Sequence, residues 1–484
     1  MDLDLGLKNR AAKRRAGNRL GPAPESALAL AVPKLSIRAR ELGFVAATIL
    51  VCLAVGKVLP RELDTLTPKK LIAFSVGLPL IVWAGWLSVA RPLAAFSLGF
   101  ALLGIVLVEP APVDVVFGLL IASTYVLRNV RPLVPSFVAL PLAGYALLTL
   151  TSMLNATSLS RAIQFEAITL YMIILAVWLS WAFKNPVWVT TAMRVYLIVA
   201  VFSAILAPVA LYLPIPGSLK SILTFGGLRA KGLFKDPNVY SPFLVPAAII
   251  LLEELTGRKL LTWRRSVIAG ALALVSLAIA VAYSRAGWLN LVLGVATLIV
   301  VQAARSGGLR KAAKSAAMIV AGLAIGFAFL SATGSLTFLH QRSTLQSYDQ
   351  QRFANQDNAI NDATRHVFGF GPGQSEVLLP LSAHETYVRA AFEEGLLGVA
   401  TILMMFVGTL MCALVLVRRQ RYVHGIGTAS LLGIWLGQTV NGFFVDTIHW
   451  RHLWIFAALI WCGYGLGGNS EQSTATPRIH SVHR

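Results

Sequence analysis

One histidine sits in a spacing with chemical potential. Ser382 and Glu385 stand three residues apart ahead of an apolar run, so the spacing predicts Ser382 as the N-cap of a helix with Glu385 reaching back in a capping box. His384 then falls in the first turn. The positive end of a helix disfavours the imidazolium, which keeps the ring neutral and able to accept a proton. The same helix end is a natural seat for phosphate oxygens. The alternative is an ordinary surface residue, one of eight histidines.

Two groups of cations could answer that histidine. Residues 226–238 read GGLRAKGLFKDPN, with Arg229, Lys231 and Lys235 among glycines that permit close backbone approach, and Asp236-Pro237-Asn238 is a helix-start signal. Either these cations meet an anion, or the loop is interfacial and its lysines snorkel to headgroups. Arg285, in Tyr283-Ser284-Arg285, stands between two long apolar stretches. An arginine there is costly unless paired or solvated, so it is either a ligand-binding group or an interfacial anchor.

Other polar features carry less. The stretch 369–373, GFGPG, looks like a phosphate loop but lacks the GK[ST] ending, and is expected to make a tight approach to the His384 helix. Asp349, Asp357, Asp362 and His366 have no metal-ligand spacing, so neither a metal nor another cofactor is expected. Asn441, Asp446, His449 and Arg451 flank the last polar turn. Asp446 is expected to pair with Arg451, or else Arg451 joins the anion site.

The elements that must hold these groups are membrane spans. Hydrophobic residues make up 56% of the 484 and charged ones 13%, about half the usual charged share. The formal net charge of +21 lies in short clusters between apolar runs with no nucleic-acid motif around them, which fits anionic lipid surfaces and excludes a nucleic-acid partner. Cys52, Cys412 and Cys462 lie inside apolar runs and form no disulfide framework. Residues 1–40 are basic and too long before the first apolar run for a secretory signal, so they are expected to be a cytoplasmic tail.

With about 17–25 residues needed per spanning helix, apolar stretches occur near 41–59, 71–90, 93–108, 113–127, 133–152, 164–183, 187–213, 238–254, 266–283, 286–303, 315–333, 388–417, 425–445 and 451–468. An all-α polytopic membrane protein with 12–14 spans follows, its transmembrane domain covering 41–468 and a second cytoplasmic tail covering 469–484. Starting inside, the cytoplasmic loops collect Arg91, Arg128, Arg131, Lys184, the cluster 258–265, the cluster 305–314 and Arg418, Arg419 and Arg421, as the positive-inside rule requires. That leaves 214–237, the turn at Ser284-Arg285, the turn 446–451 and the long interval 334–387 outside. The last exceeds ordinary loop lengths and is expected to be a large, ordered, helical external loop that carries the catalytic groups.

At this point the motifs resemble a family. R-x-x-G-L-F-x-x-P-N (229–238), S-R-A-G-W (284–288), G-x-G-x-G (369–373) followed by A-H-x-x-Y and E-x-G-L-L-G, and W-R-x-x-W (450–454) stand in the order seen in the O-antigen ligase and polymerase superfamily. The likeness covers roughly 180–465. Two departures stand out: the family commonly has Asn after its histidine where this chain has Glu385, which bears on acceptor binding, and it usually has twelve spans.

The resemblance implies a GT-C-like, metal-independent glycosyltransferase. It would move an oligo- or polysaccharide from a polyprenyl (undecaprenyl) diphosphate carrier to a glycan, lipid or protein hydroxyl on the outer side of the bacterial cytoplasmic membrane. Carried over residue by residue, Arg229 and Arg285 are diphosphate ligands and His384 the general base, while Lys231, Lys235, Asn238, Tyr387 and Arg451 are expected substrate contacts. The chemistry agrees, since guanidinium groups stabilise a diphosphate leaving group and a neutral histidine can deprotonate a hydroxyl. The contrasting reading is a transporter or flippase of lipid-linked glycan, which would place charges near the bilayer midplane and show repeated halves. Arg194 is the clearest charge inside a span, and no internal repeat is evident.

Overall fold

The structure, a computed structural model, describes residues 68–107, 109–213, 222–224, 227–257, 259–332, 334, 340 and 347–467. The basic tail 1–40, the expected span 41–59 and the tail 469–484 lie outside the described residues, as do parts of the intervals 214–237 and 334–387. The described residues are predominantly helical, an all-α polytopic membrane protein. Its helices are α1 (Pro68–Ala90), α2 (Pro92–Ala101), α3 (Pro112–Leu127), α4 (Ser136–Ser152), α5 (Leu159–Ala182) and α6 (Pro186–Tyr212). They continue as α7 (Pro237–Thr256), α8 (Arg265–Val281), α9 (Arg285–Ala304), α10 (Leu309–Ala332), α11 (Ser347–Arg365), α12 (Ser375–Leu378), α13 (Thr386–Arg419), α14 (Thr428–Asn441) and α15 (Arg451–Gly465). Each expected span from 71–90 onward overlaps one of these helices, several of which are shorter than the apolar stretch. Among the described residues, six helices are long and apolar enough to cross a membrane, and four apolar helices are shorter, including those at 92–104 and 112–127.

The helix starts are written locally. Pro92, Pro112, Pro186 and Pro237 sit at the first helical position, where the missing N–H costs nothing. Asn185, Asp236 and Ser284 cap α6, α7 and α9 through their side chains.

Burial then sorts the helices. Nearly every residue of α7 and α15 is buried, so these are the central elements, and α7 runs unbroken through Pro242 and Pro246. Apolar attraction between helices is weak in lipid, so close packing of small residues has to hold them together. α9 and α14 meet this way: a Cβ on Gly433 would lie 2.3 Å from the Gly294 carbonyl oxygen, and one on Gly437 would lie 2.2 Å from Asn290 Oδ1. Arg194, the charge within α6, donates through Nε to the Leu260 carbonyl at 3.0 Å.

Helices α7, α9 and α13 run in one direction. Their C-terminal ends meet where Arg305 donates to Thr428 Oγ1 at 2.7 Å and Lys259 lies over the Tyr422 ring, so the basic clusters gather there. Among the described residues there are two short antiparallel strand pairs: Leu223–Thr224 pairs with Arg229–Ala230, and Tyr422–Val423 with Ile426–Gly427.

Candidate active site

The opposite end of the bundle holds a cavity of about 920 Å³. Residues at or next to the N-termini of α7, α9, α13 and α15 line it, among them Asp236, Arg285, Glu385 and Arg451. Each such end carries orphan N–H groups and about half a positive charge, so their convergence favours an anion before any side chain is counted.

Arg229, Arg285 and His384 all line this cavity. Arg229 is buried and lies in the two-residue strand paired with 223–224. Its Nε donates to the Ala282 carbonyl at 3.0 Å and its Nη2 to Asn238 Oδ1 at 3.4 Å. Asn238 Oδ1 also accepts from Ser284 Oγ at 2.8 Å, and Ser284 caps α9 through Gly287 N. One amide therefore couples the Arg229 guanidinium to the turn that launches Arg285. Tyr283 in that turn has φ 49°, a left-handed backbone that a bulky residue adopts only under constraint.

The local setting of His384 corrects the expected capping box. Helix α13 starts at Thr386 with Glu385 as N-cap, so Ser382 does not cap it and His384 precedes the first turn in irregular backbone. The Glu385 carboxylate meets Arg352 of α11 at 2.7 Å, Gln356 and its own backbone N–H, and does not reach back to Ser382. His384 still favours the neutral ring: burial lowers its pKa first, and the cations Arg352 and Arg389 lower it further, against Asp236 and Asp446.

Other expectations fare differently. Lys235 and Asn238 line the cavity, and Lys235 pairs with Glu109 at 3.0 Å. Lys231 and Tyr387 are not among the lining residues. The Tyr387 hydroxyl donates to the Thr439 carbonyl at 2.9 Å and its ring packs on Phe443, because as the second residue of α13 it faces α14. Arg451 lines the cavity, but the expected Asp446–Arg451 pair is absent. Arg451 starts α15 and grips Asp114 of α3 with both Nε and Nη2, while Asp446 accepts from Arg389 at 3.1 Å and from His449 at 2.8 Å. Burial alone would raise the Asp446 pKa, yet His449 and Arg389 hold it well below the usual carboxylate range. Among the described residues no three His, Cys, Asp or Glu side chains are grouped to hold a metal ion.

The glycine stretch makes the close approach expected of it. Gly395 breaks α13 with φ 76°, and the carbonyls of Phe392 and Glu393 accept from Phe370 N at 2.9 Å and Gly371 N at 2.8 Å. A Cβ on Gly369 would fall 2.3 Å from the Glu393 carbonyl oxygen. The loop N–H groups cradle an anion after all, the buried Glu393 carboxylate, which accepts from Gly373 N at 2.7 Å and Ser375 Oγ at 2.6 Å. Glu393 in turn meets Arg389 at 3.2 Å, and the Arg389 guanidinium lies over the Phe165 ring.

Residues 270–403 match a family model described as O-Antigen ligase. This stretch is similar to O-antigen ligase domains. It runs from within α8 to the middle of α13, so it contains Arg285 and His384 and ends before Asp446 and Arg451. The match supports the O-antigen ligase/polymerase superfamily and a glycosyltransferase of that type. Together with the six apolar helices it points to an inner-membrane, multi-pass protein acting on lipid-linked glycan and an acceptor. No curated protein matches the chain.

Arg352 and Arg389 line the cavity and Glu393 lies behind it, and sequence reasoning missed all three; it noted Asp446 and His449 but not that they pair with each other. Only the i,i+4 spacing of Arg389 and Glu393 left a trace in the sequence.

Proposed function

We propose that the protein transfers an oligo- or polysaccharide from polyprenyl diphosphate to an acceptor hydroxyl on the outer side of the cytoplasmic membrane, as a ligase or polymerase of surface glycan. The observation that carries the reading is the shared cavity: Arg229, Arg285 and His384 come from three separate parts of the chain and line one space at converging helix N-termini. In the reaction the acceptor oxygen bonds to the anomeric carbon, the bond from that carbon to the diphosphate oxygen breaks, and the hydroxyl proton passes to His384. Charge grows on the departing diphosphate, where Arg229, Arg285 and the α7 and α9 N-termini stabilise it. Diphosphate departs as an anion, so no acid is needed for the leaving group. The apolar part of the wall, Val106, Phe234, Phe243 and Leu289, suits the first isoprene units of the carrier.

Transfer by purified protein from a defined polyprenyl diphosphate glycan tests the reading. Wild-type rates in an Arg229→Ala, Arg285→Ala double variant would discard it.

A further inference from the structure

His384 lies in the segment between α12 and α13, where no helix fixes the backbone. A base must be held to a fraction of an ångström, since a misplacement of about 1 Å can cost ~10²-fold. The grip on this segment comes from α11. Arg352 Nη2 donates to Glu385 Oε1 at 2.7 Å and to the Phe444 carbonyl at 2.7 Å. The Asn355 amide donates to the Leu381 carbonyl, and Gln356 hydrogen-bonds the Glu385 carboxylate. These three residues have the i, i+3, i+4 spacing of one helical face, and they hold the chain three residues before His384 and one residue after it. Ala359 and Ala363 continue the buried face of α11.

We propose that α11 is a clamp that positions His384 for proton abstraction, with Arg352 and Asn355 as its positioning residues. The inference rests on the reading of His384 as the base and adds what holds it. Arg352 acts twice, by geometry through Glu385 and by its charge beside the imidazole. The charged groups that act on His384 are Arg352 on α11, Arg389 on α13, Asp236 at the start of α7 and Asp446 in the turn before α15, with the Glu385 carboxylate one residue on and Arg285 on the same cavity wall. Loss of the Arg352 charge leaves the cation easier to form, so the ring protonates at higher pH. Asn355 carries no charge, so its loss disturbs position without that shift.

The test uses full-length purified protein, a defined polyprenyl diphosphate glycan, and the variants Arg352→Gln, Arg352→Lys and Asn355→Ala. In Arg352→Gln and Asn355→Ala, kcat is expected to fall about 10- to 100-fold with donor KM little changed, the signature of an interaction needed only in the transition state. The acidic limb of the rate profile should move to higher pH in Arg352→Gln and stay in place in Asn355→Ala and Arg352→Lys. Peptide-resolved acylation of His384 by diethyl pyrocarbonate gives the same titration when turnover is too slow to follow. Unchanged kcat in both Arg352→Lys and Asn355→Ala, or an unmoved His384 titration in Arg352→Gln, overturns the clamp. A higher donor KM at unchanged kcat overturns it too, because Arg352 would then be a donor contact. If His384→Ala is inactive while the α11 variants behave as wild type, the clamp fails and the base stands. If His384→Ala is fully active, the base reading itself fails.

Discussion

Arg229 donates through Nε to the carbonyl oxygen of Ala282 at 3.0 Å, three residues before Arg285. The two arginines, 56 positions apart in the chain, are thus built on one turn. A shift of the turn moves both.

Diphosphate binding is the first consequence. Replacing Arg229 or Arg285 by Ala should reduce transfer by at least about 10²-fold, and Lys should restore little, because an ammonium lacks the planar fork. Asn238→Ala, which removes the amide shared by Arg229 and Ser284, should reduce transfer less and raise donor KM. Steady-state rates with varied donor concentration check all three. Full activity in Arg285→Lys would leave Arg285 an interfacial anchor.

Proton abstraction gives the second. His384→Ala should lower kcat by about 10²- to 10⁴-fold, as for loss of a general base, with donor affinity retained. The wild-type profile follows from the lowered pKa of His384. The working form is neutral, so activity should persist into mildly acidic medium below the usual histidine range and disappear as the ring protonates. Rates across pH 4–8, at roughly constant ionic strength so that screening of Arg352 and Arg389 does not vary, measure the limb. A limb at or above the ordinary histidine value, about 6.5, would contradict the environment described for His384.

The glycine cradle predicts a stability effect. Gly369 has φ 67° and no room for a Cβ, so Gly369→Ala should cost at least about 2 kcal/mol. Glu393→Ala leaves Arg389 paired with Asp446 but removes the acceptor of Gly373 N and Ser375 Oγ, and should cost about 1–3 kcal/mol, as expected when buried donors lose their acceptor. Thermal unfolding of the purified variants measures both, and midpoints equal to wild type would show that the cradle is dispensable.

Sidedness is the fourth. Asp357 on α11 and Ser306 after α9 are both exposed and lie at opposite ends of the bundle. In whole cells, a cysteine at 357 should react with a membrane-impermeant thiol reagent and one at 306 should not. The reverse pattern would put the cavity on the cytoplasmic side.

Much of this architecture is legible in the sequence because it is set by short-range rules. Apolar run length fixes where helices cross lipid, proline at the first position and Asn, Asp or Ser at the cap fix where they start, and the basic loops mark one end of the bundle. Arg229, Arg285 and His384 could be singled out from local motifs alone.

What the sequence could not decide is which polar group meets which. Ser382 and Glu385 have capping-box spacing, yet Glu385 gains more from the Arg352 guanidinium that α11 brings to it than from its own backbone N–H. Asp446 and Arg451 are neighbours in the chain, but the start of α15 turns Arg451 toward Asp114, 337 residues away. Arg389 was invisible as a hub because only Glu393 among its partners shares its helix, while Glu376 and Asp446 are brought to it by packing from α12 and from the turn before α15. Spacing along a chain determines which element a residue occupies. Only packing determines which charges are taken out of water together, and there each buried ion must find a counter-charge from whichever helix is near.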